Sequence, residues 1–307
     1  MTISEERLAA AESAELKQLG DIPIDDVLGT IDTGTPNYRQ LYYRWEGQQW
    51  AAGDIDFAED CRQWAEDFTP EFRRTFLWQL SSFYAPAGQV STNLVPFVDA
   101  GPTEEQQVFL TTQLVDEARH TVFFDRFYSE VLEEPGTDME SRIDAQTERL
   151  NDGSRILLLE MLPEASERVR RDVTDMDALV EGVVLYHLVI EATLALTGQR
   201  FLLDFTRERD LLPGFRQGFT AIARDKSRHV SFGIRFLKEM VTLDRHYADV
   251  IEAALSRIVP ISLSGLEAPG GDMSYFESLP YGPEDLTTYA LNSLRKRVKV
   301  IGVELAT

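Results

Sequence analysis

Asp116-Glu117-Ala118-Arg119-His120-Thr121-Val122-Phe123 and Asp225-Lys226-Ser227-Arg228-His229-Val230-Ser231-Phe232 share the frame Asp-x-x-Arg-His-x-x-Phe. Residues three apart lie on one face of a helix, so Glu117 and His120 can hold the same metal ion. Such a pair is half of a carboxylate-bridged two-metal site, in which two helices of a four-helix bundle each give Glu-x-x-His and the other two each give one Glu. The second copy departs from that rule, because Lys226 stands where the Glu belongs. A further carboxylate, Glu191, sits in the otherwise apolar run from Val183 to Ala192. Burying it is costly unless a metal or a partner neutralises it. Two of only four histidines fall in the repeated frames, which favours an inherited metal-site scaffold over a purely structural polar core.

Working outward, apolar residues recur at helical spacing through most of the chain and no stretch alternates with period two, so the fold class is all-α. A polar amphipathic helix is expected over residues 4–20, followed by a loop over 29–36. The aromatics of residues 38–49 read as a packing face. Asp56 and Asp60 fall near the start of a helix running to Trp64, where carboxylates suit the positive helix end. Four long helices follow, over about 70–97, 103–132, 176–205 and 212–243, the second opening on the capping signal Thr103-Glu104-Glu105-Gln106. The first contains Tyr84-Ala85-Pro86-Ala87-Gly88-Gln89, a proline and glycine that interrupt or kink a helix. Two more helices are expected near 245–261 and 283–300. Residues 1–307 thus form one domain, a bundle core over about 70–243 wrapped by terminal helices.

Composition narrows the function. With 43% hydrophobic and 10% aromatic residues the chain is an ordinary globular sequence rather than a disordered one. A formal net charge of -22 argues against nucleic acid and against an anionic membrane surface, both of which it would repel. One cysteine, Cys61, makes no internal disulfide, and Met1-Thr2-Ile3-Ser4-Glu5-Glu6-Arg7 has no signal-peptide pattern, so a cytoplasmic location is expected.

Taken together, these motifs resemble the ferritin-like proteins related to the small subunit of class I ribonucleotide reductase, and most of all their branch of ligand-binding oxidases. The resemblance runs from Tyr43-Arg44-Trp45-Glu46-Gly47-Gln48-Gln49-Trp50 through the bundle to Leu294-Arg295-Lys296-Arg297-Val298-Lys299-Val300-Ile301-Gly302. It implies a ferritin-like four-helix bundle, a manganese/iron or di-iron site, a long-chain fatty acid as bound ligand, and a homodimer. It also implies roles. Glu117 matches the bridging carboxylate, His120 its partner on the first metal, and Glu191 and His229 the terminal carboxylate and imidazole of the second. Lys226 falls on the second bridging Glu. The first metal's own Glu belongs near Ala87 and Gly88, where only Gln89 is polar. Asp225 matches a residue that orients a metal-bound histidine and so would hold His120, with Asp116 and Gln89 also outside the ligand set; the alternative is that the aspartates are surface carboxylates pairing with Arg119 or Arg228. Tyr186 and Val90 match a pair that becomes crosslinked in the oxidases.

Two of the six implied ligands are therefore absent, both from the first metal. The second keeps two carboxylates and one imidazole, adequate for one iron or manganese ion. The Lys226 ammonium can instead take the place and charge of a lost cation, as in radical-generating small subunits that work without metal. Lys226 and Tyr186 are the candidate catalytic residues, Lys226 as a charge or as an amine made reactive by burial. Phe124 occupies the reductase's tyrosyl-radical position, and Val303-Glu304-Leu305-Ala306-Thr307 carries no tyrosine, which disfavours a reductase radical subunit. Two functions remain open: an oxidoreductase activating oxygen at an atypical centre on an apolar small molecule, and a silent ligand-binding or metal-free radical protein.

Overall fold

The computed structural model describes residues 36–304 together with Gly20, apart from the side chains of residues 87–89 and 91. The helix expected over 4–20, nearly all of the 29–36 loop, and the Gln89 side chain lie outside the described residues. Twelve helices are used below to locate the site.

The aromatic stretch forms α1 (Tyr38–Glu46), opened by an Asn37–Gln40 capping box. In α2 (Ala58–Glu66) the two acidic residues divide their work. Asp56, two residues before α2, accepts the Ala58 N–H at 2.9 Å and so satisfies the helix's first donor. Asp60 is buried and caps a different one: its carboxylate accepts Gly214 N at 2.8 Å and Phe215 N at 2.7 Å, the first free donors of α10.

Pro86 divides the first long helix into α3 (Pro70–Tyr84) and α4 (Ala87–Ala100), as a residue with no N–H must disturb the ladder there. The expected capping box of Thr103 and Gln106 starts α5 (Glu104–Glu130). Then come α6 (Met139–Thr147) and α7 (Leu162–Arg171), the latter led in by a π-helical turn, Ile156–Met161. The third long helix is not regular, contrary to the sequence expectation. It is α8 (Met176–Val183), a π-helical segment (Val184–Ala195), and α9 (Leu196–Glu208). Thr193 Oγ1 donates to Leu188 O, five residues back, at 2.7 Å, in step with the wider winding. The fourth is α10 (Pro213–Leu243), followed by α11 (His246–Ser264) and α12 (Pro283–Ile301).

The bundle is made by α3 with α4, α5, the α8–π–α9 unit, and α10; α1 packs on α5 and α10, while α11 and α12 cover the π segment. Among the described residues there is no strand, and the buried apolar side chains form one core running from Tyr38 to Val303. The Met176–Glu208 stretch is long and apolar enough to cross a membrane, but 83% of its most apolar window is buried inside the protein, as befits a core helix.

Candidate metal centre

Helical periodicity puts Asp116, Glu117 and His120 on the inner face of α5, and Asp225, Lys226 and His229 on that of α10, where all six are buried. The π segment contributes Tyr186 and Glu191, both buried. Wider winding of this kind recurs at functional sites. Glu117, Glu191, His229 and Lys226, widely separated in sequence, therefore meet in one cage.

At its centre Lys226 Nζ lies 3.2 Å from Glu117 Oε1 and 3.1 Å from Glu191 Oε1. Tyr186 donates its hydroxyl to the same Glu117 oxygen at 3.1 Å. His229 Nδ1 is 3.0 Å from Glu191 Oε1 and 3.5 Å from Glu117 Oε1. His120 Nδ1 faces Glu117 Oε2 at 3.4 Å. The second oxygen of Glu191, Oε2, is buried and has no hydrogen-bond partner among the described residues.

The outer nitrogens of the two histidines are held crosswise. His229 Nε2 faces Asp116 Oδ2 at 3.1 Å, and His120 Nε2 faces Asp225 Oδ2 at 3.1 Å, so each aspartate serves the histidine of the other frame. Neither aspartate is a surface carboxylate. The Trp45 and Trp50 indoles donate to Asp116 at 3.0 Å and Asp225 at 2.8 Å. Arg119 adds a bond to Asp116 Oδ1 at 3.3 Å, and Arg228 bonds both aspartates.

Charge follows from this geometry. Burial opposes ionisation of Glu117 and Glu191, but the Lys226 ammonium and the neighbouring histidines outweigh it and hold both carboxyls below their usual range, Glu117 well below. Burial likewise opposes the charged form of Lys226, yet the two carboxylates raise its pKa. Of the two expected roles of Lys226, a fixed charge and an amine made reactive by burial, this arrangement favours the charge. His229, buried between Glu191 and Asp116, is pushed up to about 9. The Tyr186 phenol is pushed well above its ordinary value, by burial first and then by the two glutamates.

The donor set is short for two ions, because the Lys226 ammonium stands between Glu117 and Glu191 and engages an oxygen of each. A single ion fits. Glu117, Glu191 and His229 offer donor atoms all within 4.8 Å of one another, and the 3.0 and 3.5 Å separations match donors set at right angles about 2.1 Å from one ion, which lie about 3 Å apart. The unpartnered Glu191 Oε2 points to the same conclusion.

Elsewhere in the bundle, His187 is buried with Nε2 3.0 Å from Gln113 Oε1, and Val90, implied by the resemblance as half of a crosslinked pair, is a buried core residue. Phe123, Phe124, Val183 and Phe232 are buried in the core, while Phe83 lines an apolar cavity of about 90 Å³ with Leu158, Ile190, Leu194 and Phe201. Sequence reading missed Trp45 and Trp50, whose aromatic stretch looked like packing. It paired Arg119 and Arg228 with the two aspartates, but at the surface, whereas the pairs are buried.

Solved structures of similar shape are R2-like ligand-binding oxidases. A valine-to-isoleucine variant with an anaerobically reconstituted Mn/Fe cofactor is 23% identical, with a TM-score of 0.74, covering 86% of this chain and 93% of its own. A valine-to-leucine variant with the cofactor reconstituted aerobically is 23% identical with a TM-score of 0.75, and a tyrosine-to-phenylalanine variant reconstituted anaerobically is 24% identical with 0.74; both have the same coverage. At these identities the likeness establishes a common ferritin-like fold. The family model described as ribonucleotide reductase, small chain, matches residues 32–262, more than half of the sequence, and the chain belongs to that family.

Proposed function

We propose that this protein is an oxidoreductase in which Glu117, Glu191 and His229 hold a single iron or manganese ion, with an apolar small molecule as substrate. The observation that carries this reading is the buried three-donor set with its unpartnered Glu191 oxygen. Bound there, the ion would supply oxygen activation, since three protein donors leave coordination positions open. The protein's own groups have distinct tasks. Lys226 replaces the missing second cation as a fixed positive charge 3.2 Å from Glu117, and favours negative charge developing beside it. Tyr186 keeps its phenolic proton and donates it in a hydrogen bond to Glu117 Oε1 at 3.1 Å, which helps to fix the orientation of that carboxylate. Asp116 and Asp225 orient the imidazoles.

An apolar cavity of about 90 Å³ lies against the π segment, lined by Ile190, Leu194 and Leu202 but by none of the cage residues, and it supports an apolar ligand held beside the bundle rather than a defined substrate size. Metal analysis after growth with iron and manganese tests the assignment. One equivalent per chain, lost in Glu191→Ala and His229→Ala, is expected; two equivalents overturn the single-ion reading.

One observation favours a second reading. Asp116, Asp225, Glu117 and Glu191 are each paired with basic groups, Lys226, Arg119, Arg228 and the two histidines, so the carboxylates are compensated without a divalent ion. Protein with no bound metal after loading favours this alternative, a silent ligand-binding protein or a metal-free radical protein. Electron spin resonance of the aerobic protein separates those two.

The exposed ridge of α5 supports homodimerisation. Val108, Thr111, Val115, Ala118 and Val122 are exposed at three- and four-residue spacing, and the series has a valine at each end and at its middle, so it suits an antiparallel copy of itself. Two chains of net charge -22 meet most easily on such an uncharged strip. The single, half-buried Cys61 supports a reducing, cytoplasmic setting.

A further inference from the structure

The guanidinium of Arg228 lies between the two repeated frames. Its Nη2 donates to Asp116 Oδ2 at 3.0 Å and to Asp225 Oδ1 at 2.6 Å, joining α5 to α10 through one nitrogen. Its Nη1 donates to Gln48 Oε1 at 2.6 Å, which anchors the group to the segment after α1. The side chain is 2% exposed, so these bonds form out of water, where they are strong. Each aspartate it holds faces the outer nitrogen of the other frame's histidine.

We propose that Arg228 is a positioning residue for both histidines at once, a role that rests on the single-ion reading. A carboxylate fixed as an acceptor keeps a hydrogen on the Nε2 facing it, which leaves Nδ1 as the nitrogen turned into the cage. One guanidinium sets this for His229 through Asp116 and for His120 through Asp225, so the two imidazoles are oriented together. Lysine cannot substitute. A compact ammonium supplies the charge but not the planar fork that reaches Asp116, Asp225 and Gln48 together. Without Arg228, Asp225 Oδ1 loses the donor recorded for it, and Asp116 Oδ2 keeps only the imidazole. Asp116 Oδ1 retains Trp45 and Arg119, and Asp225 Oδ2 retains Trp50, so the carboxylates persist while their orientation loosens.

The test uses full-length metal-free protein labelled with ¹⁵N at histidine, comparing wild type, Arg228→Lys, Arg228→Met and Gln48→Leu. In wild type, His120 and His229 should each give a slowly exchanging Nε2–H resonance. Both should be lost together in Arg228→Met, with only partial recovery in Arg228→Lys. Manganese(II) affinity, measured by equilibrium dialysis, should fall roughly 10–100-fold in Arg228→Met. Persistence of both resonances with an affinity within twofold of wild type overturns the proposal, as does full recovery by lysine. If Arg228→Met does not fold, Gln48→Leu decides: weakened resonances and affinity support the role, and unchanged ones overturn it. A wild-type protein that fails to bind manganese refutes the single-ion reading, while the histidine resonances still report on Arg228.

Discussion

Lys226 Nζ lies 3.2 Å from Oε1 of Glu117, a glutamate that also belongs to the three-donor cluster with Glu191 and His229. Lysine and ion thus compete for the same oxygen. Lys226→Glu should replace the competitor by a ligand and raise manganese or iron content from one toward two equivalents per chain, with His120 as the added nitrogen donor. Elemental analysis of the loaded, desalted protein checks this. Content that stays at one shows that the missing carboxylate near Ala87, rather than the lysine, limits the site.

Removing the charge without adding a ligand has another effect. Lys226→Met leaves the buried Glu117 and Glu191 with only the facing histidines to offset their charge, which should cost about 3 kcal/mol in metal-free protein. Added manganese(II) should return part of that stability. Urea unfolding with and without the ion measures both. A variant as stable as wild type in the absence of metal would show that the ammonium does not neutralise the cage.

His187 makes acid stability testable outside the ligand set. Burial lowers its pKa from 6.5 to about 4, so the folded state binds its proton less readily than the unfolded chain. Its contribution is complete above about pH 6.5 and is lost as pH falls toward about 4, amounting to about 3 kcal/mol at about 1.4 kcal/mol per unit. His187→Gln should flatten the stability profile across that window. An equally steep profile in the variant excludes His187 as the cause.

The Asp60 cap gives a prediction far from the cage. Asp60→Ala strips two buried N–H groups at the start of α10 and should destabilise by about 2 kcal/mol. Burial raises the carboxyl of Asp60 to about 6, against the pull of those N–H groups. Chemical denaturation checks the loss, and Asp60→Asn, which keeps one acceptor, should recover part of it.

Val115 lies at the middle of the exposed α5 strip, 46% exposed and with its side chain away from the cage. Val115→Glu should leave the fold and metal content intact and convert a dimer to a monomer. Sedimentation velocity distinguishes the two. A wild-type protein already monomeric at micromolar concentration removes the proposed interface.

Much of this architecture is legible in the sequence because the relevant periodicities are local. The capping box of Thr103 and Gln106, the break at Pro86 and the inward line of Glu117 and His120 depend on residues within one or two turns. The cage residues are legible for a second reason: charged groups in apolar helices need partners. The rest depends on tertiary placement. Nothing near Asp60 in sequence says that it caps α10, and nothing near Trp45 or Trp50 says that their indoles reach Asp116 and Asp225. The π winding around Glu191 is hidden because Val184-Leu185-Tyr186-His187-Leu188 suits either kind of helix. For Lys226 the sequence left both a charge and a reactive amine open, since burial and facing carboxylates pull its pKa in opposite directions and only their placement decides which is larger.

The bond from Asp60 to Gly214 closes a loop of 154 residues. Contacts that distant form late in folding, after the entropy of bringing the ends together has been overcome. On the ribosome the acceptor is synthesised long before its donors, so α2 must wait, docked or not, for the first turn of α10 to emerge. A fragment beginning at Pro70 would contain every metal-binding candidate and still lack the carboxylate that completes its longest helix, so such a truncation should refold more slowly and fray at that end.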